Sequence, residues 1–181
     1  MAAYLTMAVA AGIGFIWRIK LAHAVAVSAA PIGASFTALA LATGMIWGKP
    51  MWGTYWQWGD ARLLSELVLL FLYLGYLALR AAFDDRDRAD KVSAMLAVVG
   101  VVNLPIIHFS VEWWATLHQG PTISKLGAPS ITTGMLVPLL VTIVGFTLFF
   151  AWALLLHTRA EVLAREGHTR WVRQLTAGGA A

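Results

Sequence analysis

The sequence predicts an all-α, polytopic membrane helical bundle. Three observations carry that prediction. Of the 181 residues, 60% are hydrophobic and only 12% charged. Mean hydropathy is +0.73. The apolar residues gather in five continuous runs rather than alternating, which argues for spanning helices over a membrane β-barrel. A soluble domain of this length could not cover so much apolar surface with so few charges. Nothing resembling a cleavable leader is expected at the start, because the first run lacks a basic flank. With no cysteines, disulfides, thiol redox chemistry and covalent haem attachment through Cys-x-x-Cys-His are excluded within this chain.

The five spans are expected at about 2–17, 22–46, 63–83, 92–109 and 134–157. A helix needs roughly 20 apolar residues to cross ~30 Å of hydrocarbon, so the first run is short. Small residues recur in the first two: Ala10, Ala11, Gly12 and Gly14, then Ala29, Ala30, Gly33 and Ala34. Such positions let backbones approach closely, as helices in lipid do. Pro31, Pro105 and Pro138 are expected to kink their helices. Residues 1–158 read as one membrane domain and 159–181 as a cytoplasmic tail.

The connections differ in charge. Arg18, Lys20, Arg80, Arg86, Arg88, Lys91, Arg159, Arg165, Arg170 and Arg173 fall on one side, ten of the thirteen Lys and Arg. Only Lys49, Arg62 and Lys125 fall on the other. The positive-inside rule places the basic side, with the C-terminus, in the cytoplasm. The excess base (net charge +4) therefore reads as topology, not as a nucleic-acid surface. Five spans then put Met1 outside, so either Met1 crosses as a short uncharged tail or a further span precedes it.

The outer connections are rich in tryptophan. Trp47, Trp52, Trp56, Trp58, Trp113 and Trp114 lie there, six of nine. An interfacial belt would put aromatics at both faces. The one-sided, contiguous clusters instead predict a platform for a flat hydrophobic ligand, since each ring buries much area at little entropic cost. If residues 52–58 are extended, Trp52, Trp56 and Trp58 share a face; if helical, Trp52, Tyr55, Trp56 and Gly59 do.

His118 stands in the second outer connection, before Gln119, Gly120 and Pro121, a turn-like sequence able to hold an imidazole outward. Neutral imidazole is an axial ligand for haem iron. His108, closing an apolar run after Pro105, is expected to cap or hydrogen-bond within the bundle. His23, His157 and His168 read as interfacial or solvated. Asp60 is expected to cap the third span. Arg62 and Lys49 are the cations beside the aromatic loop, and either could meet a ligand's carboxylate or serve as structural charge. Arg62 could instead pair with Glu66 at i,i+4. For Asn103 a helix–helix hydrogen bond suffices.

These residues resemble a known family. "WGKPMWGTYWQWGDARLLSELVLLFLYLGYLAL", "FDDR", "GVVNLPIIHFSVEWWATLHQG" and "APIGASFTALALATG" are similar to CcmC, the haem-handling subunit of bacterial cytochrome c maturation. The resemblance runs from about residue 5 to residue 122, more weakly into the last span. It implies an inner-membrane protein holding non-covalent b-type haem, in transit, on its periplasmic face. It further implies delivery to the haem chaperone CcmE, beside the ABC-type subunits CcmA and CcmB and the small subunit CcmD. Trp52, Trp56, Trp58, Asp60, Trp113 and Trp114 would form the haem and partner platform, and His118 the second of two axial histidines. Two departures stand out. The family pattern has six spans, with its first axial histidine between spans one and two, so this sequence reads as N-terminally truncated. Gly59 intervenes where the family runs from Trp to Asp, which would rotate the residues after it by ~100° if helical.

The expected chemistry is binding and hand-off rather than catalysis, with no nucleophile triad and no Walker motif in the sequence. Two rivals stand beside it: a small-solute permease gated at the prolines, with Glu66 and Asn103 lining a path, and an inactive truncated copy.

Overall fold

The computed structural model describes residues 1–114, 116–120, 122–123 and 128–178, with side chains to residue 174; Pro121 and Lys125 lie outside the described residues. It is an all-helical bundle. In chain order the helices are α1 (Ala2–Trp17), α2 (Lys20–Trp52), α3 (Ala61–Ala81), α4 (Arg86–Val99), α5 (Asn103–Trp113), α6 (Thr133–Arg165) and α7 (Arg170–Gly178). A 3-10 turn, Gly100–Val102, joins α4 to α5. Four helical stretches are long and apolar enough to cross a membrane: α2, α3, α6 and the continuous run Arg86–Trp113. The 16 residues of α1 rise only about 24 Å at 1.5 Å each.

Side-chain size explains why α1 and α2 pack so closely. Ala8, Ala10, Ala11, Ala26, Ala29, Ala30 and Ala34 are buried in one cluster with Tyr4, Met7, Leu69, Tyr73, Tyr76 and Ile107. In lipid no hydrophobic difference drives helices together, so close backbone approach and dispersion must do so. Two glycines make room for the tyrosines. A Cβ on Gly33 would overlap the Tyr73 phenol, and one on Gly100 the Tyr4 phenol. The two rings meet edge to face at 5.1 Å. Gly33→Ala is therefore expected to lower stability by about 1–3 kcal/mol through overpacking. Gly44→Ala, with nothing near its Cβ, is expected to be neutral or stabilising by up to about 1 kcal/mol. Thermal unfolding of the two variants side by side checks this.

The prolines do not end their helices. Both α2 and α6 continue through Pro31, Pro50 and Pro138. Ahead of Pro105 the chain tightens into the 3-10 turn, where the Asn103 N–H bonds back to the Gly100 carbonyl. Asn103 also makes the expected interhelix bond, its Nδ2 donating to the Ser65 carbonyl at 2.9 Å.

Three sequence expectations need correction. Helix α2 does not stop near residue 46 but runs to Trp52, ending where Gly53 turns left-handed (φ 77°) and returns its N–H to the Lys49 carbonyl. Only a residue without a Cβ adopts that φ freely. Residues 53–60 are accordingly a non-helical connection, with a turn at Trp58–Gly59 and extended backbone at Asp60, so the helical alternative for this loop is ruled out. Second, His23 is not solvated: it is 9% exposed, its ring against the Gly14 backbone. Third, among the described residues Arg62 and Glu66 make no ion pair within 4 Å, and Arg62 lines a cavity instead.

At the basic end four charges clasp three helices. Asp90 on α4, 4% exposed, accepts from Arg80 of α3. It also accepts from both terminal nitrogens of Arg165 of α6, at 2.9 and 3.2 Å. Arg165 Nε donates to Glu161 at 2.7 Å. Elsewhere α6 is peripheral: only 6% of its most apolar stretch is buried. Its main packing is on α2, with Phe36 against Phe146 and Phe149 at 6.0 and 6.1 Å.

Candidate ligand cavity at the tryptophan end

At the opposite end, the two aromatic connections fold toward each other around Asp60. This side chain is 2% exposed. Its Oδ1 accepts from the backbone N–H groups of Arg62 and Leu63, both at 3.0 Å, capping α3 as expected. Its Oδ2 accepts from the Leu117 N–H at 2.9 Å and lies 3.3 Å from His118 Nδ1. Burial alone would raise its pKa. The N–H groups of Leu117 and Leu63 and the neighbouring imidazole outweigh burial and hold the carboxyl below its ordinary value. Asp60 is thus a tie beneath the platform rather than part of its surface. Gly59, the residue before it, leaves this cap intact. Trp58 and Gly59 form a turn closed by the Asp60 N–H on the Gln57 carbonyl at 3.1 Å.

Above this tie lies a cavity of about 780 Å³, into which Trp47, Trp52, Arg62, His108 and His118 all project. Trp52 and His118 meet edge to face at 4.8 Å, and Trp47 crosses Trp52 at 5.4 Å. Leu139 and Ile143 of α6 complete one wall. Such a volume, with flat apolar walls and few polar groups converging from separate elements, is typical of a small-molecule site. Imidazole nitrogens and a guanidinium lining one cavity suit a planar ligand bearing a metal and acidic groups.

The sequence expectations divide here. Trp52, His118 and Arg62 meet at the cavity. Lys49 does not line it, because its ammonium donates to the Gly53 carbonyl at 3.0 Å and sits over the Tyr55 ring. Trp58, Trp113 and Trp114 are exposed and do not line the cavity; Trp56 is half-buried, its ring 5.5 Å from that of Trp58. Trp113 stacks on Phe109 at 5.2 Å and touches Trp114. His108 lines the cavity with His118, its ring edge to face on Phe109 at 4.7 Å, and it makes no side-chain hydrogen bond among the described residues. The sequence signal for it was slight, a polar Ser110 and Glu112 continuing α5 beyond the apolar run.

Comparison with known proteins decides the family. The family model of heme exporter protein C, CcmC, matches residues 1–173. This chain belongs to the CcmC family. Similar members include heme exporter protein C of Haemophilus influenzae, 54% identical over 97% of this chain and 71% of that protein. The heme exporter protein C of Escherichia coli K12 is 53% identical over 97% and 70%. A putative cytochrome c biosynthesis ccmC-like mitochondrial protein of Marchantia polymorpha is 40% identical over 89% of this chain and 67% of its own length. Apolar helices and family together make the chain a multi-pass membrane protein. Most of the cavity's lining, from Trp47 to Arg62 and from His108 to Gly120, falls in the stretches that carried the sequence resemblance, while Leu139 and Ile143 come from the last span.

Proposed function

We propose that this chain binds haem, non-covalently and in transit, in the cavity at its tryptophan end, and presents it to the haem chaperone CcmE during c-type cytochrome maturation. The observation that carries the reading is the convergence of Trp47, Trp52, Arg62 and two histidines on one cavity of about 780 Å³. His118 is the iron ligand in this reading, with the indole of Trp52 against it. Arg62 is the propionate partner, since Lys49 is already engaged. Bound haem supplies an iron centre and two carboxylates; the protein supplies a nitrogen donor, apolar walls and one cation.

The excess of Lys and Arg at the opposite end favours a bacterial inner-membrane protein with that end cytoplasmic and the cavity periplasmic. Residues 1–158 would form the haem-handling domain and residues 159–181 a cytoplasmic tail. The exposed Trp58, Trp113 and Trp114, with Trp56, are where CcmE would dock. CcmA and CcmB would supply ATP hydrolysis, with CcmD as the small subunit.

Haem titration of the purified chain, followed in the Soret region, tests this; a chain that stays colourless overturns it. Arg62→Gln gives the sharper result. A charge-assisted hydrogen bond contributes roughly 1.5–3 kcal/mol, or about 10- to 100-fold in affinity. Haem should bind that much more weakly to the variant, while haem dimethyl ester, lacking the carboxylates, should bind both proteins alike. Equal losses for the two ligands would remove Arg62 from the propionate role.

A further inference from the structure

We propose that Asp60 is a positioning residue: its carboxylate holds His118 in the Nδ1–H tautomer, leaving Nε2 as the nitrogen that can donate to a metal. The proposal rests on the reading of the cavity as a haem site only for what Nε2 would bind; the tautomer itself belongs to the protein alone.

Hydrogen-bond valence decides the tautomer. An ionised carboxylate accepts and cannot donate. Both oxygens of Asp60 are committed as acceptors. Oδ1 takes the N–H groups of Arg62 and Leu63, and Oδ2 takes the N–H of Leu117. The same Oδ2 faces His118 Nδ1 at 3.3 Å, so Nδ1 meets an acceptor and carries the proton. A neutral imidazole has one N–H, so its lone pair lies on Nε2, across the ring. The Trp52 edge at 4.8 Å braces the ring from the side. His118 is still open enough to react, with 24% of its side chain exposed against 1% for Asp60. A buried carboxylate behind a histidine in this manner fixes ring orientation and strengthens the nitrogen donor, and losing such a partner typically lowers metal affinity 10- to 100-fold.

An amide cannot replace this carboxylate. Asn has one acceptor oxygen where four N–H groups now point. If that oxygen stays with the helix cap, its NH₂ faces Leu117 N and His118 Nδ1. The ring must then present a lone pair at Nδ1 and move its proton to Nε2. Asp60→Ser is the companion variant. Serine is a good N-cap, so α3 keeps its start, but its shorter side chain does not reach across to His118.

The test uses the full chain labelled with ¹⁵N-histidine, first without haem. One of the five histidines, identified by its disappearance in His118→Ala, should show the Nδ1–H signature. In Asp60→Asn it should shift to the Nε2–H form, and in Asp60→Ser it should become a mixture of tautomers. Haem affinity of both should fall 10- to 100-fold, and the potential of the haem that still binds should rise as the donor weakens. An Nε2–H tautomer in the unaltered protein overturns the proposal. So does an unchanged tautomer in both variants, or haem affinity and potential that fail to move while the tautomer does. His118→Ala separates the two readings: unaltered haem spectra in that variant would sink the haem assignment, while the haem-free tautomer measurement would stand on its own.

Discussion

Replacing His118 with alanine is expected to abolish the imidazole-ligated haem spectrum of the purified protein and to weaken haem binding by at least 100-fold. The magnitude follows from position. Disturbing a group behind a metal ligand already costs 10- to 100-fold in affinity, so deleting the ligand must cost as much or more. Residual binding should come from Trp47, Trp52 and Arg62, which line the same cavity. Haem remaining in His118→Ala should therefore be ligated by water or by His108 on the same cavity. His118→Ala with His108→Ala reads this directly, through the loss of any low-spin Soret and α/β bands that survive in the single variant. Full retention of the spectrum in the single variant would move the iron ligand away from His118.

The second large effect lies at the far end of the bundle. Asp90→Ala is expected to destabilise the protein by about 3–5 kcal/mol. Removing the central partner of a buried ionic cluster leaves the rest desolvated and undercompensated, with Glu161, among the described residues, the one carboxylate left to both guanidiniums. Here two guanidiniums, Arg80 and Arg165, would face each other with 15% and 12% of their side chains exposed. Arg165→Leu should cost less, because it removes a charge and leaves the Arg80–Asp90 pair intact. The two variants can be compared by thermal unfolding in detergent. Hydrogen exchange over residues 155–165 should rise in both, since this clasp and the α2 contact are the main ties on α6. Equal stability of Asp90→Ala and the parent protein would show that water reaches the cluster and screens it.

How much of this was legible from sequence varies element by element. The spans were legible because insertion depends on local hydropathy, summed over about 20 neighbouring residues. That the first two helices would pack closely was legible for a similar reason, since alanine and glycine let backbones approach, but that they pack on each other came from the structure. Asp60 as an N-cap and Asn103 as an interhelix donor were legible because their residue types have few ways to be satisfied. The end of α2 was not, since it depends on Gly53 taking a left-handed turn and on Lys49 covering it. Nor was the fate of Arg62. An i,i+4 ion pair is worth only a few tenths of a kcal/mol, too little to decide a rotamer by itself. His108 misled for the complementary reason: residue type and position did not reveal which face of α5 it would occupy.

By itself the sequence determined a polytopic helical membrane protein with a basic end and an aromatic one. Hydropathy, residue size and charge are properties of short segments, and they survive without knowledge of what packs against what. Only the tertiary structure decided which side chains share a cavity. Asp60 and His118 lie 58 residues apart, and their meeting depends on how two loops cross above helices whose rotation is set by distant packing. The same holds for Lys49 leaving the site, His108 entering it, and Asp90 serving as the knot of the opposite end. In each case a long-range packing geometry, built from many weak contacts, overrides what neighbouring residues would choose.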